Sequence, residues 1–145
     1  MKIVDLKKEH LFNIKLRNLE LDDLLGGDAL ERHADFYLNC QYKKAILVED
    51  QVAVIMGGNI NNQSQCNTWL IASDLIETCP ISTMKLIKRL HREGAQSHNI
   101  KLFYTYNLPS YEREVRFVES VGYKRQGTVN YFEDGKNRIL LTMEA

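Results

Sequence analysis

Two apolar, β-rich runs at 44–48 (KAILV) and 52–58 (VAVIMGG) are separated only by Glu49, Asp50 and Gln51. That pattern predicts an antiparallel hairpin. Residues 2–6 give a short alternating run, and thus a strand. Between them the period changes to that of a helix. Leu11, Ile14, Leu21 and Leu25 fall on one face, with Phe12, Leu16 and Leu19 beside it, which predicts a helix over 9–25 stopped by Gly26 and Gly27. Asp28 then starts a second helix. Asp28 and Glu31 have capping-box spacing, and Leu30, Ala34, Tyr37 and Leu38 form a buried stripe. Residues 59–67 are polar and read as a connection. The next strand is 68–73 (TWLIAS), followed by a loop closed at Pro80.

A helix follows, with Ser82 or Thr83 as its cap and Met84, Ile87, Leu90 and His91 on its inner face; Gly94 stands near its end. Residues 101–106 (KLFYTY) are an apolar and aromatic strand. Tyr111, Val115, Val118 and Val121 make another helical stripe. Runs at 126–132 and 138–143 flank Asp134-Gly135, a strong hairpin signal. The predicted order is β-α-α-β-β-β-α-β-α-β-β, which implies a mixed α/β sheet covered by helices. No repeat, low-complexity tract or linker interrupts it, so 1–145 reads as one domain.

Composition narrows this picture by exclusion. Nineteen basic and 19 acidic residues cancel, so nothing points to nucleic acid. No window approaches a membrane span, and the opening MKIVDLKKEHLF has no long apolar run that would make it a signal peptide. Cys40, Cys66 and Cys79 are widely spaced, as expected of free thiols in a reducing compartment. The four histidines show no ligand spacing, and no metal site is expected.

The segment VAVIMGGN, the strand TWLIAS, the helix KLIKRLHREGA, the strand ending KLFYTYN and the helix closing RFVESVGY stand in the order of the GNAT acyl-CoA-dependent acetyltransferases. The chain resembles that fold over nearly its whole length. From Val52 to Tyr123 it looks like a narrower group with this fold, the internal virion protein A-like proteins of short-tailed bacteriophages. The resemblance implies a central splayed sheet in which acetyl-CoA lies between the strands at 68–73 and 101–106. Backbone groups of Leu70, Ile71, Ala72 and Ser73 would hold the pantetheine arm. The pyrophosphate would sit on the next helix, where Ser82 and Thr83 offer hydroxyls. Asn107 would hydrogen-bond cofactor or substrate, and His33 and Asn59 would lie where the acceptor enters.

Asp74 is the base that the resemblance favours. The position usually held by an acidic tyrosine carries Phe117, leaving Tyr111 as the substitute, with Tyr104 and Tyr106 as further options. The phosphate loop, TCPIST, has no glycine. Arg17, Glu20, Asp22 and Asp23 lie in the region that gates substrates in the fold, and their charges read as surface. Two functions follow from the resemblance. One is an acetyl-CoA-dependent N-acetyltransferase acting on a small-molecule or protein amine. The other is a non-catalytic phage protein that binds a phage or host protein, in host cytoplasm or the virion.

Overall fold

The structure, a computed structural model, describes residues 1–17, 20, 28–130 and 135–145. Expectations that fall on Leu19, Leu21, Asp22, Asp23, Leu25, Gly26, Gly27, Tyr131, Phe132 and Asp134 lie outside the described residues. The chain divides into two compact units, Met1–Asn59 with Thr68–Pro80, and Ile60–Asn67 with Ile81–Ala145.

The first unit contains β1 (Lys2–Asp5), α1 (Lys8–Asn13), α2 (Ala29–Arg32), α3 (Ala34–Leu38), β2 (Tyr42–Val48) and most of β3 (Gln51–Ile60). Its last strand segment is 68–72 of β4 (Gln65–Ala72). The order is β1-β2-β3-β4, with β1 antiparallel to β2 and β2 to β3. The predicted hairpin forms, and its two-residue turn uses Glu49 and Asp50, both at positive φ (50° and 63°). Two positive φ values match the twist of the flanking strands. Leu6, Leu11, Leu30, Tyr37, Ile55 and Ile71 meet in one apolar core, with Trp69 packed against it.

Two helix expectations are corrected here. α1 stops at Asn13, because Ile14 is already extended (φ −68°, ψ 134°) and turns its side chain into the core. Asp28 makes no capping hydrogen bond; its carboxylate pairs instead with Arg32 Nε at 3.1 Å, one turn on. His33 then breaks the expected second helix into α2 and α3. The buried stripe survives the break, since Leu30, Ala34 and Tyr37 are all buried.

The second unit holds the end of β3, the start of β4, α4 (Pro80–His98) from its second residue on, β5 (Leu102–Asn107), α5 (Glu112–Val121), β6 (Lys124–Val129) and β7 (Arg138–Glu144). Its strand order is β4-β5-β7-β6. β4 and β5 are parallel, and β7 is antiparallel to both β5 and β6. The parallel ladder is short. It pairs Gln65, Cys66 and Asn67 with Leu102, Phe103 and Tyr104 and then ends, although β5 stays paired with β7 through Asn107.

The polar connection expected over 59–67 is shorter than its composition suggests. β3 continues to Ile60 and β4 starts at Gln65, because Asn61 Oδ1 accepts from the N–H groups of Gln63 (2.9 Å) and Gln65 (3.0 Å) and closes the turn. α4 also outruns the glycine expected to end it. Gly94 is buried inside the helix. The stop is Asn99 at φ 55°, with Ile100 N donating to Ala95 O at 3.1 Å and the Ile100 side chain buried. This is the left-handed closure that satisfies the last carbonyls of a helix.

Candidate active site

β4 ends in a small polar assembly within the first unit. Ser73 is 2% exposed, and its Oγ donates to Val52 O (2.9 Å). The same oxygen accepts from Leu75 N (3.3 Å), starting the single-turn 3-10 helix Asp74–Thr78. Ser73 N donates to Ala53 O on β3 at 2.9 Å. Successive amides of an extended strand point in opposite directions. The Ala72 N–H therefore points away from β3. It is buried and needs an acceptor, and it finds Glu20 Oε1 at 3.2 Å, 52 positions earlier in the chain.

Glu20 corrects the expectation that its neighbourhood carries only surface charge. It is 5% exposed, and the Arg17 guanidinium holds its carboxylate through Nη2–Oε1 (2.6 Å) and Nε–Oε2 (3.0 Å). A buried carboxylate is stable only when it is paired and hydrogen-bonded. Here both oxygens are engaged, one by a side chain and a strand amide together.

The other residues expected on this side are differently disposed. Ile71 and Ala72 are buried, while Leu70 is half-buried. Asp74 is exposed in the first turn of the 3-10 helix. His33 is exposed between α2 and α3, where its carbonyl accepts from Phe36 N at 3.0 Å. Asn59 is half-buried near the end of β3.

In the second unit, α4 begins earlier than its sequence suggests. Pro80 is its first residue, a position suited to proline because the first helical N–H has no intrahelical acceptor. Ser82 and Thr83 are thus inside the first turn and do not cap it. Ser82 is exposed, whereas Thr83 is fully buried at 0%. Asn107 closes β5 opposite Ile139. Tyr111 directly precedes α5, with its carbonyl accepting from Glu114 and Val115. Phe117 is half-buried on that helix.

The flank of α4 adds a further feature. Lys85, Lys88, Arg89 and Arg92 rim an open cavity of about 790 Å³ whose apolar lining includes Phe103 and Met143. Their i, i+3, i+4 and i+7 spacing was the available signal; the apolar wall beside it comes from residues distant in sequence. At the inner side of α4, His91 bonds Ile87 O through Nδ1 (2.8 Å) and Tyr123 Oη through Nε2 (2.8 Å).

The chain matches no protein-family model and no curated protein sequence. Its likeness is to solved structures. An aminoglycoside 6'-N-acetyltransferase complexed with coenzyme A superposes with a TM-score of 0.72 at 17% identity, over 99% of this chain and 97% of that one. The ribosomal-protein-alanine N-acetyltransferase from Brucella melitensis gives 0.73 at 12% identity, over 100% of both chains. This chain has the GNAT fold.

A GNAT-family acetyltransferase from Bacillus anthracis gives 0.73 at 8% identity, over 98% and 93% of the two chains. These likenesses overturn the narrower resemblance to phage internal virion proteins, because the neighbours are acetyltransferases of the GNAT fold. The residues behind that resemblance, from Val52 to Tyr123, supply the strand, helix and turn order of the fold itself, so they do not discriminate within it. Among the described residues, no helix of this GNAT-fold chain is long and apolar enough to cross a membrane.

Proposed function

We propose that this chain binds an acyl-CoA along β4 and transfers the acyl group to the amine of a small molecule or protein. The observation that carries the reading is the Ala72 amide, a strand donor directed away from β3. A carbonyl of an extended ligand can take that donor in the way a further strand would. In the second unit, the leading N–H groups in the first turn of α4 have no intrahelical acceptor and the helix dipole favours negative charge there, which suits a phosphate. Exposed Ser82 and Lys85 stand in that turn and the next. A bound acetyl-CoA supplies an activated thioester. Asp74 offers an exposed carboxylate to take the amine's proton, and Tyr111 offers the hydroxyl that Phe117 lacks.

Calorimetry with acetyl-CoA tests this reading. At a concentration one hundred times Kd, binding adds about 2.7 kcal/mol of stability, which raises Tm by roughly 5–10 °C in a chain of this size. No heat and no shift at millimolar acetyl-CoA would sink the proposal. Where binding is seen, Asp74→Ala and Tyr111→Phe are expected to lower turnover by about a hundredfold while leaving affinity within a factor of about two. Equal losses of affinity and turnover would place these two residues in binding instead.

Phe117 favours a second reading, in which binding persists without transfer. That reading predicts an acetyl-CoA affinity like that of the enzyme reading, with no acetylated product from any of a panel of amines.

A further inference from the structure

The Glu20 carboxylate stands where a ligand carbonyl would have to stand. Ala72 N–H has one direction in which to donate, and Glu20 Oε1 occupies it at 3.2 Å. The carboxylate is not held there by Ala72 alone. Arg17 Nη2 and Nε both reach it, and the side chains of Arg17 and Glu20 are 14% and 6% exposed. Glu20 thus completes the hydrogen bonding of a strand donor that has no strand partner on that side, and Arg17 supplies the charge that makes a buried carboxylate tolerable.

We propose that Glu20 is an exchangeable occupant of the acyl site. In the free protein its carboxylate takes the Ala72 N–H; when an acyl-CoA binds, the thioester carbonyl takes that donor and Glu20 withdraws onto Arg17. This inference rests on the acyl-CoA reading above and adds the residue that sets affinity in it. No covalent step is involved, only an exchange of acceptors on one amide. Two features make the exchange feasible. The Arg17 pair survives it, so the displaced carboxylate keeps a partner. The donor is never left bare, so no orphaned N–H opposes binding. The exchange also predicts selectivity: a ligand with no carbonyl at this point has nothing to offer Ala72 and cannot displace Glu20.

Glu20→Asp separates the two contacts. The shorter side chain still pairs with Arg17 but falls short of the Ala72 amide. Acetyl-CoA is expected to bind this variant about tenfold more tightly than the native protein, since a hydrogen bond to a charged group no longer has to be broken. Coenzyme A without the acetyl group is expected to bind both proteins alike. In the free native protein, the Ala72 amide resonance in a ¹⁵N-correlated spectrum is expected to shift on Glu20→Asp substitution and again on adding acetyl-CoA. Glu20→Gln provides a second variant, a neutral acceptor held less firmly, with an intermediate affinity.

Equal affinity of native, Glu20→Asp and Glu20→Gln proteins for acetyl-CoA, all with native Tm, would overturn the exchange and leave the acyl-CoA reading standing. Absence of binding by all three would overturn both. A Glu20→Asp protein that fails to fold leaves the decision to Glu20→Gln and to the Ala72 resonance of the native protein. An unmoved resonance on saturation with acetyl-CoA counts against the exchange.

Discussion

Gly57→Ala is expected to melt roughly 10 °C below the native protein. The position lies in the middle of β3, paired with Lys43 of β2. A Cβ built there would collide with the Tyr42 carbonyl oxygen, and would lie 3.0 Å from Lys43 Cα and 2.8 Å from Trp69 Cζ2. Two of these neighbours are backbone and cannot swing aside. The third is anchored as well, because Trp69 Nε1 donates to Cys40 Sγ at 3.4 Å and the ring meets Tyr37 edge-on at 4.8 Å. Overfilling a packed site costs about 1–3 kcal/mol and sometimes more. The entropy lost by the unfolded chain when glycine becomes alanine returns only about 0.4–1 kcal/mol, so the steric cost wins. At about 2–4 °C per kcal/mol, a cost near the upper end gives the stated drop. Circular dichroism melts check it, and a native Tm would show that the hairpin yields. The double variant with Trp69→Phe is expected to lose less than the two single losses combined, because a smaller ring retreats from the added methyl.

The same packing shows which parts of the fold were legible. Strand and helix order could be read because it is set by local periodicity, and the hairpin at Glu49–Asp50 was visible in the two apolar runs around it. Boundaries were harder. Asn61 shortened a polar stretch into a tight turn by accepting two backbone N–H groups. Asn99 ended α4 five residues after the glycine expected to do so. Asn99 takes the left-handed conformation more often sought from glycine, whereas Asn61 supplies a side-chain acceptor that glycine lacks. The Asp28 and Glu31 pair had the spacing of a capping box, but an ion pair to Arg32 claimed the aspartate.

The candidate site divides along the same line. Leu70, Ile71, Ala72 and Ser73 could be placed on a strand, but nothing local told that Ser73 would spend both its hydroxyl and its N–H on β3. In the sequence Glu20 stands among charged residues, Arg17, Asp22 and Asp23, which is the pattern of a surface segment. Its burial follows from a partner 52 positions away. A side chain whose environment is built by tertiary contact leaves no mark on its own neighbourhood in the sequence. The phage resemblance failed for a related reason, since an ordered set of fold-forming segments reports the fold and carries little about lineage within it.

Lowering the pH from 7.5 to 5 is expected to destabilise the native protein, with His91 responsible for much of the loss. His91 is 5% exposed, on the inner face of α4, with its ring edge-on to Phe103 at 4.8 Å. Ile87 O can only accept, so Nδ1 carries the hydrogen and Nε2 of the neutral ring accepts from the Tyr123 hydroxyl. Burial pushes the His91 pKa below its ordinary 6.5, and the bond to Ile87 O offsets only part of that. The unfolded chain, with an ordinary histidine, therefore binds the proton first as pH falls. Stability is fully present above about pH 6.5 and declines below it until the folded form is protonated, by at most about 1.4 kcal/mol per pH unit. Burial also lowers the pKa of His10, so it adds to the loss in the same direction. Asp5 and Glu112 are held low by Lys44 and Arg125, which confines their contribution to more acidic pH. His91→Gln removes the titrating ring and keeps a polar side chain near Tyr123. This variant is expected to melt below the native protein at pH 7.5 and to lose about 3–5 °C less per pH unit between 6.5 and 5, so the two curves approach each other. Parallel curves across that window would mean that the native fold takes up the His91 proton as readily as the unfolded chain does, which a ring enclosed by Ile87, Phe103 and Tyr123 cannot do without opening.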